Sequence, residues 1–262
     1  MTSSSTTIVR THYSNEIVAK MALYSLMILR DFSPIGNSGF TQCGMLILVT
    51  DGFVNTVKDN VVILKKVGIN EIQLGKSEAE KSFPDLDLQD CGDYFAWEPE
   101  NEYADPVATA GAYAAKAREL GAELVLRNRV NRLESNDGKI TSVLLEVGTR
   151  IKCGRVILCT NFWTNKLLSR SGVEDADLLP IRAVPHPVVV YRRPAEYQGI
   201  RAIIIDYYSK AYYKPEGQML LFGGSIDASI DSRTCDPDNP HRTFRLSTFP
   251  AILSKFRRES PR

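Results

Sequence analysis

Apolar positions change their spacing several times along this chain, and each change predicts an element. Between Glu16 and Phe32, Val18, Met21, Ala22, Tyr24, Leu26 and Leu29 recur at helical spacing, predicting a helix with a broad buried face capped at Ser14 or Asn15. Ser33-Pro34 and the stretch from Gly36 to Gly39 break it. Cys43–Val49 (CGMLILV) is almost continuously apolar, the pattern of a central strand buried on both faces. Asp51-Gly52 ends it. Phe53–Val67 then reads as a second helix, Glu71–Leu74 as a short strand and Gly75–Phe83 as a brief helix. Pro84–Glu100 is acidic and aromatic, fitting a loop and strand that either line a cleft or pack aromatics beneath a loop.

The middle of the chain carries the clearest punctuation. Asp105 can cap a helix with Pro106 in its first turn, and Ala, Leu and Lys continue to a stop at Gly121. Four strand-like runs follow, Glu123–Leu126, Arg129–Glu134, Ile140–Glu146 and Arg155–Cys159, with a short Arg150–Lys152 run before the last. Asn136-Asp137-Gly138 turns the second run into the third. This predicts a parallel-type strand, a hairpin excursion and a return to a buried strand that ends near a helix start at Thr164. Beyond it, Pro180–Arg193 holds one strand. Ala202–Tyr208, Lys210–Lys214 and Met219–Gly223 form a meander turned by Pro215-Glu216-Gly217. Asp231–Arg242 reads as loop and Thr248–Phe256 as a last amphipathic stretch. Strands in succession after a mixed half predict an antiparallel sheet attached to an α/β layer.

Composition narrows the chemistry. The 262 residues hold 32 Lys+Arg against 31 Asp+Glu, a balance that gives no support to nucleic-acid binding. No apolar run spans a membrane and the N-terminus lacks a signal-type core, so a soluble, cytoplasmic protein is expected. Five scattered cysteines without a CxxC fit a reducing compartment. His12, His186 and His241 show no short metal spacing, and no metal centre is expected. Cys159 closes an apolar strand and is either a buried structural thiol or a reactive one. Arg10, beside a helix start, could clamp a carboxylate with its planar fork or form a surface ion pair. Tyr207-Tyr208 and Tyr212-Tyr213 put aromatics on both faces of adjacent strands, one face for the core and one for a ligand cleft. Arg182 is a further cleft candidate against simple surface charge. No GxGxxG and no P-loop occurs, and Gly223-Gly224-Ser225 is a weak phosphate signal.

Taken in order, the landmarks resemble a family. SSSTTIVRTHY (from Ser3), CGMLILV, ADPVATAGAYAAKARELGAEL, RVILCTNFWTNKLLSRSGV and YYKPEGQMLLFGGS are similar to successive segments of the D-amino-acid-oxidase-like FAD-dependent oxidoreductases, the sarcosine, dimethylglycine and glycine oxidase group. The likeness runs from Ser3 to Pro250. It implies an α/β fold, a truncated FAD-binding Rossmann-like layer with an attached mixed or antiparallel substrate-domain sheet. It implies FAD as cofactor and oxidation of the C–N bond of a small amino acid or N-methylated amine by hydride transfer. By the same resemblance Arg10 meets both flavin and substrate carboxylate, and Val130, Thr160 and Trp163 face the cofactor. Tyr208, Tyr212 and Arg182 stand on the substrate side.

The departures are specific. The family's opening strand and GxGxxG turn have no counterpart before Ser3, nor does its closing glycine-rich flavin segment after the last helix. Its Ala-Ala-Gly turn is Cys159-Thr160-Asn161 here. The resemblance therefore implies a fragment, or a chain whose flavin site is completed by a partner subunit. The alternative is a noncatalytic ligand-binding or interaction subunit. The expected division is a partial FAD-binding domain at 1–50 and 101–178, a substrate domain at 51–100 and 179–247, and a tail at 248–262.

Overall fold

A computed structural model describes residues 5–184, 186, 188–192, 202–217, 220–226, 236 and 238. The expected Thr248–Phe256 stretch, the tail at 248–262 and most of the Asp231–Arg242 loop lie outside them. Chain contacts divide the described residues into two units. One holds 5–121 with 186–226, the other 122–184 with Asp236 and Asp238.

The first unit is built on a seven-stranded sheet. Its strands are β3 (Met45–Leu48), β4 (Ile72–Leu74), β5 (Phe95–Glu98), β10 (Val188–Arg192), β11 (Ile203–Asp206), β12 (Ala211–Glu216) and β13 (Leu220–Ser225). Their order is β10-β13-β12-β11-β3-β5-β4. Only β3 and β11 run parallel, with Met45 opposite Ile203 and Leu48 opposite Asp206. Alternate side chains of the central strands feed two cores, as the period-two pleat requires. Leu46, Leu48, Phe95, Ile204 and Tyr213 pack on one face with Leu86 and Leu88. Met45, Ile47, Ala96, Ile203, Ile205 and Tyr212 pack on the other with Val57. Burial on both faces explains why CGMLILV is apolar without alternation. Gly44 opens β3 at φ +74, and the Trp97 ring lies where its Cβ would be, 2.0 Å from the nearest ring atom.

Helices α1 (Glu16–Arg30), α2 (Val54–Val67), α3 (Lys76–Ser82) and α4 (Pro106–Glu119) belong to the same unit. Asn15 caps α1 by accepting from Ile17 N and Val18 N, and Asp105 caps α4 by accepting from Val107 N and Ala108 N. Both capping expectations hold. The broad buried face expected for α1 does not: only Ala19 and Leu26 are buried, while Ile17, Met21, Tyr24 and Met27 are exposed. A small sheet of β1 (Ile8–Val9), β6 (Glu102–Tyr103) and β2 (Thr41–Gln42), with β6 central, completes the unit.

The second unit carries β7 (Val130–Asn136), β8 (Lys139–Leu145) and β9 (Arg150–Lys152) as an antiparallel sheet, with α5 (Thr164–Arg170) following. Asp137 at φ 50 and Gly138 at φ 73 make the two-residue turn between β7 and β8, both central positions left-handed as a type I′ hairpin demands. Ser171 Oγ accepts from Leu133 N and donates to Leu167 O, tying the end of α5 to β7.

Two expectations are corrected. Residues 123–126 and 155–159 are not in strands. Their backbones pair with no strand among the described residues, and Leu126 and Ile157 are 68% and 83% exposed. The expected mixed α/β class, with helices and more than one sheet, holds. β3 sits between β11 and β5 in the large sheet, so the described residues up to 121 share one contact unit. The turn expected at Pro215-Glu216-Gly217 begins later, since β12 runs through Pro215 to Glu216 and Gly217 carries the positive φ of 56.

Candidate functional site

Of the residues singled out from sequence, Arg10, Tyr208 and Tyr212 fall in the first unit, and Val130, Thr160, Trp163 and Arg182 in the second. Arg10 follows β1 and is exposed, its guanidinium 4.8 Å over the Tyr13 ring. It makes no ion pair among the described residues. Stacking leaves the fork's edges open to a planar anion. Tyr212, on β12, is buried against Met45, Ile47 and Ile203. Its hydroxyl accepts from Thr6 Oγ1 at 3.4 Å, and burial pushes it above the ordinary phenol range despite that donor. The His186 ring stacks on it with centroids 6.1 Å apart. Tyr208 lies in the turn after β11. Its hydroxyl donates to Val49 O at 3.0 Å and accepts from Gly92 N at 2.7 Å, so it ties two loops to the end of β3.

In the second unit the Cys159-Thr160-Asn161 turn leads into a short 3-10 turn at Asn161–Trp163 and then α5. Asn161 adopts φ 46, so the residue standing at the glycine of the resembling turn keeps the left-handed backbone while adding a side chain. Thr160 Oγ1 and Thr164 Oγ1 share a hydrogen bond of 2.9 Å. Trp163 Nε1 donates to Asp238 Oδ1 at 2.8 Å, and Lys166 pairs with the same carboxylate, which lies below its ordinary range for both reasons. Val130 begins β7 and is half-buried, and Arg182 is exposed in coil. Cys159 is exposed, which removes the buried-thiol reading.

Gly224 has a structural explanation that does not involve phosphate. It stands opposite Tyr212 in the β12–β13 pair, and a Cβ there would fall 2.5 Å from the Tyr212 hydroxyl. The glycine is the floor under a buried aromatic ring.

One polar cluster was not legible at all. His12 lies just beyond β1, Glu71 just before β4 and Glu98 at the end of β5, and all three are buried. His12 Nδ1 is 2.7 Å from Glu71 Oε2 and 3.2 Å from Glu98 Oε1. On its other side, Nε2 is 3.1 Å from the amide of Asn60 on α2. Thr11 Oγ1 donates to Glu98 Oε2 at 2.8 Å, and Asn101 Nδ2 donates to the same oxygen. Burial alone would lower the imidazole, but the bonds and charges of Glu71 and Glu98 overcome it and hold His12 at about 9. Burial raises Glu71 above the carboxylate range against the pull of His12. Glu98, also penalised by burial, is held below that range by His12 and Thr11. The sequence signal was weak: two glutamates at the ends of apolar runs, 59 and 86 residues from the histidine.

The fold described above is that of amino-acid-oxidising flavoenzymes. L-Proline dehydrogenase from P. horikoshii superposes with a TM-score of 0.82 at 25% identity, covering 96% of this chain and 64% of that one. Iminodiacetate oxidase from Chelativorans sp. BNC1 gives 0.70 at 18% identity, with 97% and 69% covered. Glycine oxidase from Geobacillus kaustophilus gives 0.69 at 16%, with 86% and 60% covered. No curated sequence matches the chain. The family model for FAD dependent oxidoreductases matches residues 1–261, and the chain belongs to that family. It spans less than two thirds of the proline dehydrogenase and of the glycine oxidase.

FAD is the cofactor this membership brings. Asn161 preserves the left-handed turn before α5, and Arg10 is an exposed cation without a carboxylate partner among the described residues. The given residues hold no GxGxxG, the turn whose amides and following helix would meet a diphosphate.

Proposed function

We propose that this chain supplies the substrate-binding part of an FAD-dependent oxidoreductase that oxidises the C–N bond of a small amino acid or N-methylated amine. The family match across residues 1–261 carries the reading. The similar structures are enzymes named for proline, glycine and iminodiacetate, which favours a small amino-acid-like substrate. FAD, when bound, supplies the hydride acceptor. The role of this chain is to position: Arg10 pairs with the substrate carboxylate, with Arg182 as a second cation, and Tyr208 and Tyr212 form the wall of the substrate domain. Thr160, Trp163 and Val130 face the cofactor, with Arg10 shared between cofactor and substrate.

The bare segments at 123–126 and 155–159 support a second element of the proposal. Leu124, Val125, Leu126 and Ile157 are exposed apolar side chains in runs that read as strands. A strand pairing with them would cover this surface and bring the missing glycine-rich turn. A partner subunit or further sequence with the strand–GxGxxG–helix pattern would serve. In its absence the chain acts as a noncatalytic ligand-binding or interaction subunit.

The carboxylate role is tested by Arg10→Ala in the flavin-loaded form. Loss of a charge-assisted pair costs about 1.5–3 kcal/mol, roughly 10- to 150-fold in affinity. A small carboxylate inhibitor followed by its perturbation of the flavin spectrum should bind that much more weakly. Unchanged affinity would remove Arg10 from the substrate site.

A further inference from the structure

The His12, Glu71 and Glu98 cluster has more acceptors than the protein satisfies. One imidazole N–H faces two carboxylates that also lie within hydrogen-bonding reach of each other, and Glu71 Oε1, on a side chain only 1% exposed, has no donor. A buried carboxylate oxygen left without a donor loses its hydration with nothing in return. The three groups each present a ligand atom, and these atoms all lie within 4.8 Å of one another. The surrounding contacts are those that orient ligands: Asn60 holds the far ring nitrogen of His12, and Thr11 with Asn101 fixes the far oxygen of Glu98. With the Asn60 amide turned so that its oxygen accepts from Nε2–H, Nδ1 presents its lone pair to the space between the carboxylates.

We propose that His12, Glu71 and Glu98 bind a divalent transition-metal ion of the zinc class, fastening the segment after β1 to β4 and β5. One imidazole nitrogen and two carboxylate oxygens suit such an ion better than calcium or magnesium, which take all-oxygen shells. The ion replaces the proton that Nδ1 shares with the two carboxylates and gives Glu71 Oε1 a partner. A tetrahedral site with bonds of about 2.05 Å has ligand edges of about 3.3 Å. The 2.7 Å contact between His12 and Glu71 would therefore open by about 0.6 Å, within side-chain adjustment. The site is independent of the cofactor reading, since its residues are neither Arg10 nor those of the 159–164 turn.

The test uses the purified chain, stripped with chelator and titrated with Co²⁺ at neutral pH. One equivalent should bind with visible d–d absorption and no sulfur-to-cobalt charge-transfer band, and Zn²⁺ should displace it. Glu71→Gln, which keeps the shape, should weaken binding at least ~10-fold while leaving the far-ultraviolet dichroism unchanged. Should that variant not fold, imidazole nitrogen resonances of the wild-type chain decide. The sequence has three histidines, and His186→Gln and His241→Gln assign two of the rings. Zn²⁺ should then shift the remaining one, His12. Absence of saturable Co²⁺ binding, undiminished binding in a folded Glu71→Gln, a charge-transfer band from cysteine, or an unmoved His12 ring would each overturn the site.

Discussion

Gly224→Ala isolates the packing that shapes the substrate-side sheet. Gly224 pairs with Tyr212 across β12 and β13, and its φ lies outside the left-handed region, so alanine carries no backbone penalty there. The penalty is contact. The new Cβ would stand 2.5 Å from Tyr212 Oη and 2.6 Å from Cε1 and Cζ, distances no carbon tolerates. The ring cannot swing freely, because it packs with Met45, Ile47 and Ile203. Overpacking of this kind costs about 1–3 kcal/mol, from which about 0.5 kcal/mol is recovered by the lower entropy of an unfolded alanine. The net loss is about 0.5–2.5 kcal/mol, or roughly 1–10 °C in Tm for a chain of this size. Equilibrium urea unfolding gives the number. The decisive comparison repeats Gly224→Ala in a Tyr212→Val background, where the ring is gone and the same alanine should cost less than about 0.5 kcal/mol, a coupling of about 1 kcal/mol or more. Equal cost in the two backgrounds would refute the argument that the ring sets the need for glycine.

Glu102, buried with one carboxylate oxygen unpartnered, is pushed up to about 7 by burial against the opposing pull of Arg30, which donates to it at 3.0 Å. Its raised folded value means the stabilising contribution is complete below the ordinary carboxylate range and lost as pH rises through about 7. Wild-type stability should thus fall by about 1–3 kcal/mol relative to Glu102→Gln between pH 4.5 and pH 8, and parallel urea midpoints across that range would remove the claim. At the uncovered segments, Leu126→Ser and Ile157→Ser should each change the stability of the isolated chain by less than about 0.5 kcal/mol, because both side chains are exposed. The same changes should abolish association with an added strand–GxGxxG–helix segment, measured by analytical ultracentrifugation; association that survives both would show that another surface is used.

Local signals were legible where a single residue type decides a backbone. Asp105 and Asn15 cap because their short side chains reach the first free amides, and Asp137-Gly138 turns because both positions need φ above zero. The apolar run at 43–49 announced a strand buried on both faces, and the sheet delivers it. Sheet partners were not legible: the parallel pairing of β3 with β11 joins residues more than 150 positions apart. The runs at 123–126 and 155–159 have strand character without a partner among the described residues, so local pattern and observed conformation part company there. α1 shows the reverse case, since helical periodicity marked a face as apolar but could not say that anything covers it. Arg10 and the tyrosines stood out by residue type and position and again by resemblance, whereas His12, Glu71 and Glu98 are joined only by the fold.

Anaerobic flavin bleaching tests the central reading most directly. The chain would be combined with a strand–GxGxxG–helix segment, loaded with FAD, freed of excess cofactor and mixed with a panel of proline, sarcosine, dimethylglycine and glycine. The expected result is a retained oxidised-flavin band that needs the added segment and is bleached by at least one member of the panel. A retained band that no small amino acid or N-methylated amine bleaches would contradict the proposed chemistry.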